Sequence, residues 1–313
     1  MGAKRGGRLR SLHPCLAIAC RAIGGGLAAL LAMIPTIAAS QDAPTPTPTI
    51  GITQLPPPGA DATGPGDDFL ARTANFFQLT YEYRTAPGSG SVKGTIRTVT
   101  SDFAYLRADH TIYLAPQWQL ALRADLPFLA KDPINSGNPN GDYLYGVGDA
   151  DIQAALIHEF DARLTAGFGA RLIAPTGGDG LGSGKWQIMP GAAVKYTLPE
   201  ISSGSYIEPL VRYVVSFAGD PLTRNISNLQ FAPTVNLGLP DRWFFTLYPS
   251  PDIRINYGDP VTGQTGRLFL PFNARIGRKI TDNLALSLEV GVPIIKDYPV
   301  YDFKTEVRLG LKF

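Results

Sequence analysis

The chain has 313 residues, of which 44% are hydrophobic and 17% are charged, and its formal net charge is +2. Its mean hydropathy is +0.02. This balance excludes a disordered chain, which has too few apolar residues, and a bundle of membrane helices, which is far more apolar.

The first 40 residues have the layout of a secretory signal peptide. A basic start that contains Lys4 and Arg10 precedes an apolar stretch from Leu27 to Ile34, and small residues follow up to Ser40. We expect cleavage before residue 41. Five of the 28 basic residues are then lost, which leaves 23 against 26 acidic ones. This balance gives no reason to expect nucleic acid binding.

Both cysteines, Cys15 and Cys20, lie inside this segment. We therefore expect neither disulfides nor thiol chemistry in the mature chain. Lipid attachment at Cys20 is an alternative, but Leu16 stands one residue too far from it for the lipoprotein pattern. Beyond the signal, no stretch reaches the roughly 18–20 apolar residues of a spanning helix, so any membrane passage must use strands.

Residues 41–72 are predicted to form a flexible periplasmic leader. Their Pro, Gly and Thr content buries too little apolar area to offset the entropy of ordering. One interpretation is a simple tether. The other is a small plug, in which Ile50, Ile52 and Leu55 enter the mouth of the domain that follows.

From residue 73 to residue 313, apolar and polar side chains alternate with the period of two that a two-faced strand requires. In LALRADLPF (120–128), for example, leucines alternate with Arg123 and Asp125. About twelve such segments are predicted, each near the roughly 9–11 residues that a tilted strand needs to cross a bilayer. They span residues 73–84, 100–114, 118–128, 149–160, 163–174, 186–198, 205–217, 229–239, 243–257, 267–280, 284–295 and 301–313.

The connections between these segments alternate in length. Short turns are predicted at 116–117, 161–162, 240–242 and 281–283, and longer loops at 85–94, 129–148, 175–185, 218–227 and 258–266. Short periplasmic turns and longer external loops are typical of outer-membrane barrels. Strands of a soluble sandwich are usually about 5–6 residues long, roughly half the length seen here. Trp118, Trp186 and Trp243 stand at strand ends, which suits interfacial girdles.

The last segment ends on an aromatic residue, Phe313, with Leu311 and Leu309 at alternate positions before it. This ending resembles the signal that the outer-membrane assembly machinery reads, so we predict that these three residues form it. Together the patterns predict an all-β fold: a transmembrane antiparallel β-barrel of about 12 strands, surrounded by the lipid of a Gram-negative outer membrane.

Prolines occur within or beside many of the predicted strands. They are Pro127, Pro175, Pro190, Pro209, Pro233, Pro249, Pro251, Pro271 and Pro293. Each removes a donor from the ladder. Bulges near the rim would accommodate most of them. Pro209 and Pro233 stand nearer mid-strand, and the alternative there is a kink or gap in the wall.

Charged side chains on the inward parity are the candidate lumen residues. They are Arg107, Asp109, Arg123, Asp125, Asp149, Asp151, Arg171, Glu208, Arg212, Arg254, Arg275, Glu289, Lys304, Glu306 and Arg308. Two interpretations stand. Paired charges fill the interior and hold it rigid, or these residues line a narrow pore and set its ion selectivity.

Five aromatic residues share the inward parity: Phe103, Tyr105, Tyr113, Phe244 and Tyr248. An aromatic track of this kind could pass an apolar solute, and packing of the lumen is the alternative.

Enzyme activity is not expected. A nucleophile must lie within hydrogen-bond reach of its base, and the only histidines after the signal are His110 and His158. The residue at the same-face spacing from His110 is Ile112. Asp149 and Asp151 share a face, but such pairs also bind cations or are simply solvated. The sequence contains no metal cluster, phosphate loop or nucleotide motif, so no cofactor is expected.

Three stretches carry a resemblance to a known family: LALRADLPFL (120–129), GVGDADIQAAL (146–156) and GFGARLIAPTGGDGLGSGKWQIMPGAAVKYTL (167–198). They resemble the outer-membrane transporters associated with phenol meta-pathway degradation, which are grouped with long-chain fatty-acid-type porins. The resemblance implies passive uptake of small, often aromatic or apolar, molecules. It brings no set of binding residues with it. The alternative is a non-conducting barrel with a structural or surface-binding role.

Overall fold

The computed structural model of the chain describes residue 70 and residues 75–92, 95–132, 138, 140–178, 180–257, 266–297 and 300–313. The signal peptide, both cysteines and the three apolar residues of the suggested plug lie outside these ranges, so those expectations stay predictions. Within the described ranges, no helix is long and apolar enough to cross a membrane.

The described residues form fourteen strands in one antiparallel sheet. They are β1 (Asn75–Val92), β2 (Thr95–Ala115), β3 (Trp118–Lys131), β4 (Leu144–Val147), β5 (Asp151–Glu159), β6 (Leu164–Ile173), β7 (Lys185–Thr197), β8 (Tyr206–Gly219), β9 (Ser227–Gly238), β10 (Trp243–Leu247), β11 (Ile253–Asn256), β12 (Arg267–Lys279), β13 (Leu284–Lys296) and β14 (Phe303–Lys312).

The sheet closes on itself because β1 pairs with β14, from Phe76↔Lys312 to Thr85↔Phe303. Two crossings are interrupted: β4 and β5 both pair with β3, and β10 and β11 both lie between β9 and β12. Counting each interrupted crossing once gives twelve. The predicted transmembrane antiparallel barrel is therefore confirmed, with its strand number.

The wall has two chemically distinct faces. On β3, Leu122, Leu126 and Phe128 are 36–40% exposed, whereas Arg123 and Asp125 between them are buried. The same alternation runs through the other strands, so large apolar side chains face outward and polar ones inward. This arrangement is the reverse of a soluble protein and suits contact with lipid.

One predicted loop is wrong. Residues 85–94 were expected to connect two strands, yet β1 and β2 remain paired through Ala86↔Val99 to Val92↔Thr95, with a register shift between Pro87 and Ser91. The β-branched run that opens β2 favours a strand. An antiparallel hairpin extends for as long as its rungs pair, and register of that kind is not visible in a single segment. Lys131 and all of β4 likewise lie within the predicted loop 129–148.

Prolines lie within the ladders themselves. Pro209 stands directly opposite Pro233, and Pro271 opposite Pro293. Between β7 and β8, Ala193 pairs with Leu210, but the position opposite Pro209 is not paired. A proline nitrogen cannot donate to a ladder, which explains the interruption. A gap in the wall at this level stays a prediction.

The break between β10 and β11 is a five-residue segment, 248–252, which stands opposite only three residues of β9. Tyr248 begins it with φ 49°, a left-handed conformation that ends the strand. Ser250 and Asp252 are each only 4% exposed. We call 248–252 the inward segment, because its buried polar groups contact inward-facing side chains of β12–β14.

Candidate functional site: the lumen of the barrel

The first group of inward charges lies on β2, β3, β5 and β6. Arg107 and Asp125 are directly opposite each other, and the guanidinium donates to both carboxylate oxygens, each at 2.7 Å. Arg171 lies 3.8 Å from Asp125 and 3.4 Å from Asp151, and it also donates to Gln153 at 3.0 Å. We call these five residues the Asp125 cluster. Buried charges require such pairing, because an unpaired one loses its hydration without compensation.

A second pair stands two residues along the same two strands. Arg123 lies opposite Asp109 and donates to its two carboxylate oxygens at 2.6 and 3.1 Å. The bidentate geometry fixes both side chains against the wall.

The second cluster joins charged residues of β13 and β14 to Asp252 of the inward segment. Lys304 Nζ is 2.6 Å from Asp252 Oδ2 and 2.6 Å from Glu289 Oε1. Arg308 lies 2.7 Å from Glu289 and also pairs with Glu306. Lys304 and Glu289 are 1% and 0% exposed, so their charges are compensated by each other and not by water. We call these five residues the Lys304 cluster.

The inward segment belongs to this cluster through hydrogen bonds. Ser250 Oγ donates to Glu289 at 3.1 Å and accepts from Arg308 at 3.1 Å. Asp252 also accepts from Asn273 Nδ2 at 2.7 Å. Sequence reasoning missed Ser250 and Asp252 because it placed 243–257 in one continuous strand. The Pro-Ser-Pro-Asp run was the signal that could have located the break.

Arg275 has two buried guanidinium nitrogens without a hydrogen-bond partner among the described residues, whereas Arg123, Arg254 and Arg308 have one each. It is 2% exposed, its Nη2 donates to Thr246 at 3.3 Å, and its guanidinium lies 5.5 Å from the centroid of the Phe244 ring. Among the described residues, its Nε and Nη1 have no hydrogen-bond partner. Phe244 is 1% exposed and packs over Gly277. The interior therefore holds a buried aromatic ring beside guanidinium donors that have no partner.

The remaining predicted charges take separate positions. Arg212 donates to Gln230 at 2.7 Å, Glu208 is 3% exposed, and Arg254 lies 3.4 Å from Asp252. Asp149 does not join Asp151 in a carboxylate pair. Its oxygens instead accept from Gly177, from the Ser183 backbone and from the Ser183 hydroxyl, at 2.6–3.0 Å, so it anchors the loop before β7.

The aromatic residues predicted to face inward do not all lie in the lumen. Phe103 and Tyr105 are stacked with ring centroids 5.9 Å apart, while Tyr113 is 62% exposed near the end of β2. The inward placement of Tyr248 is wrong: its ring packs edge-on against Phe272, which is 42% exposed on the outward face. The left-handed backbone at Tyr248 breaks the strand, so parity no longer fixes the direction of this side chain.

Cations lie over the stacked pair. Arg84 is 5.3 Å and Lys131 Nζ 5.7 Å from the Phe103 centroid. Arg84 also pairs with Glu82. The stacked rings of Phe103 and Tyr105 are therefore surrounded by charged groups and not by apolar side chains.

An apolar recess interrupts the polar inner wall. Its side chains come from β5, β7, β8 and β9 and are at most 4% exposed, and Gly167 of β6 lies between them: Ala155, Ile157, Ala193, Leu210 and Ala232. Leu70 packs in it and is 0% exposed. Leu70 lay inside the predicted leader, and no periodic signal indicated its position.

Both described histidines stand away from the lumen charges. His158 lies between Trp118 and Phe160, at centroid distances of 4.3 and 4.5 Å, and His110 is exposed. At the end of the chain, Leu309, Leu311 and Phe313 are 36%, 45% and 72% exposed. Among the described residues, no group of three or more His, Cys, Asp or Glu side chains could hold a metal ion.

One known protein family matches the sequence over most of the barrel's first nine strands. The family model described as "Putative MetA-pathway of phenol degradation" matches residues 82–244, just over half of the chain. The chain belongs to this family. The resemblance seen over 120–198 is thereby confirmed. No curated protein matches the sequence.

Solved structures with similar barrels share little sequence. The toluene transporter TbuX of Ralstonia pickettii is 8% identical, with a TM-score of 0.44 over 82% of this chain and 94% of its own. The monoaromatic hydrocarbon channel TodX, as a deletion mutant, gives 9% and 0.41 over 82% and 95%. The KdgM porin gives 10% and 0.41 over 75% and 99%.

Proposed function

We propose that this member of the phenol-degradation family is an outer-membrane channel for passive uptake of small aromatic or apolar molecules. Its support begins with the wall, which is closed by β1 and β14 and carries lipid-compatible side chains on its outer face. Such a wall isolates the lumen from lipid, so a solute that enters the lumen can cross the membrane without partitioning. A Gram-negative outer membrane is the proposed location.

The observation that carries the substrate class is the pairing of Arg275 with Phe244. Phe244 and Arg275 are 1% and 2% exposed, so a solute reaches them only when the side chains that cover them move aside. Its ring can then lie beside Phe244, while a hydroxyl or oxyanion on that ring accepts from the unpaired Nε and Nη1 of Arg275. Phenols carry both groups on one small molecule. A mostly apolar site with a few placed polar donors is the usual composition of a small-molecule site.

A non-conducting barrel is the second candidate, and the Lys304 and Asp125 clusters favour it. Their side chains are nearly all buried and paired, so they occupy the interior as well as line it. A filled lumen would give the barrel rigidity and leave its loops as the functional surface.

Two further roles complete the proposal. The exposed Phe313, Leu311 and Leu309 serve as the recognition signal for the assembly machinery. The barrel works without covalent chemistry, in keeping with histidines that lie apart from the buried carboxylates.

Single-channel recording separates the two candidates. Protein purified from the outer membrane of an expressing host is placed in a planar bilayer, and its fold is checked by the heat-dependent shift of its gel mobility. We expect discrete conductance steps that phenol reduces saturably in the wild type and much less in Arg275→Leu. Folded protein without steps would leave the filled barrel as the better account.

A further inference from the structure

The apolar recess forms a single row on the inner wall. Direct cross-strand pairs link Ile157 to Gly167, Gly167 to Ala193, Ala193 to Leu210, and Leu210 to Ala232. Paired residues in antiparallel strands face the same side. Five adjacent strands therefore present only hydrocarbon at one level of a wall whose inner face is polar at most other positions.

Polar residues border the recess on both sides along β8 and β9, and on one side along β5–β7. Along one edge, Arg212 stands opposite Gln230, two residues from Leu210 and Ala232. Along the other, Lys195 stands opposite Thr165, two residues from Ala193 and Gly167. On β5–β7 the apolar surface is one row wider, through Ala155, Gly169 and Gly191, before the pair of Gln153 and Arg171 ends it. The recess therefore lies within the inner wall and is not one end of the lipid-facing surface.

Leu70 shows what this row accepts. Its side chain is fully buried there, and a Cβ placed on Gly167 would stand 2.6 Å from Leu70 Cδ2. Glycine at 167 leaves the space that the leucine methyl occupies. The occupant is one side chain just before β1, separated from Asn75 by only four residues.

The geometry points to the recess as a binding site for a small uncharged apolar solute of about one ring, which Leu70 occupies until the solute displaces it. The row offers hydrocarbon to a ligand, so recognition depends on apolar area and shape. A single aromatic ring buries at least as much apolar area as one leucine side chain. A solute at sufficient concentration therefore competes with Leu70 for the same surface.

Displacement changes the surroundings of Leu70. When the solute holds the recess, the Leu70 side chain loses its buried contact with β5–β9. This inference rests on the proposed channel function and names an apolar site for it.

Thiol accessibility at position 70 tests the inference. In a background with Cys15→Ser and Cys20→Ser, Leu70→Cys is the single thiol, and Ser203→Cys in an exposed turn is the matched control. The reagent is a membrane-impermeant thiosulfonate and the probe is toluene. We expect Leu70→Cys to react at least about tenfold more slowly than the control, and toluene to raise its rate saturably while leaving the control unchanged.

A filled recess provides the second arm. Leu70→Cys combined with Ala193→Leu should react fast whether or not toluene is present. If that variant fails the gel-shift test of folding, Ala232→Val replaces it. Equal rates at positions 70 and 203 without toluene, or no response of a folded Leu70→Cys barrel to toluene, would overturn the inference.

The two failures are distinguishable. A barrel that conducts and responds to phenol, yet shows no protection at position 70, keeps its channel function and loses the displaceable leucine. A barrel with a protected, toluene-responsive position 70 but no conductance keeps the site and loses the channel.

Discussion

Arg107 and Asp125 occupy directly opposite positions on β2 and β3, and the guanidinium donates to both carboxylate oxygens. Arg171 approaches the same carboxylate from β6. One acidic group thus compensates parts of two buried cations, so its removal affects strands on both sides of it.

Asp125→Asn tests this dependence. The change leaves Arg107 and Arg171 buried with a neutral partner, and breaking a buried pair of this kind costs about 3–5 kcal/mol. We expect the free energy of unfolding, measured by denaturant titration in detergent, to fall by an amount of that order. Glu200→Gln is the control: its pair with Arg163 is half-exposed and should contribute about 0–1 kcal/mol. Equal effects of the two changes would contradict the assignment.

Asp252→Ala tests whether the hydrogen bonds of Asp252 fix the inward segment in the lumen. Asp252 accepts from Lys304 and Asn273, so its loss frees the segment from one side of the Lys304 cluster. We expect larger or more frequent conductance steps in planar bilayers, because the segment no longer occupies a fixed place in the lumen. Asp282→Ala, in a turn where the carboxylate is 90% exposed, should leave the recordings unchanged. Unaltered steps in Asp252→Ala would show that the segment does not restrict the lumen.

Gly169→Ala tests the close approach of β5 and β6. A Cβ at this position would meet the carbonyl oxygen of Ala154 and would lie 2.6 Å from Ala155 Cα. Backbone atoms in a paired ladder cannot move aside, and overpacking typically costs about 1–3 kcal/mol. The midpoint of thermal unfolding should fall accordingly. Gly178→Ala is the matched control, since a Cβ there meets nothing within 4 Å, and it should unfold like the wild type.

Amide exchange tests the wall at Pro209 and Pro233. A ladder that lacks donors at this level should open more readily than the uninterrupted ladder around Leu288 on β13. We expect faster hydrogen exchange at Leu210 and Ala232 than at Leu288. Full protection at Leu210 and Ala232 would exclude a gap at this level, leaving the prolines as tolerated irregularities.

Much of the architecture could be predicted because a membrane-spanning strand has one apolar and one polar face, and its residues therefore alternate between apolar and polar. Arg107 and Asp125 followed from parity alone. The placement of Tyr248, Asp252 and Leu70 did not, for a common reason: each lies where the period of two stops. The left-handed backbone at Tyr248, with φ 49°, turns the chain without leaving a mark in the alternation of residue types. A single leucine outside any strand, such as Leu70, belongs to no alternating pattern.

Uptake by intact cells distinguishes a conducting barrel from a filled one. Initial uptake of labelled phenol is measured in a porin-deficient Gram-negative host with and without the chain, after heat-modifiable barrel has been confirmed in its outer membrane. We expect faster uptake that an uncoupler does not reduce, and a smaller gain with Arg275→Leu present at equal level. Uptake equal to that of the host alone, with folded barrel in place, would contradict a channel for such molecules.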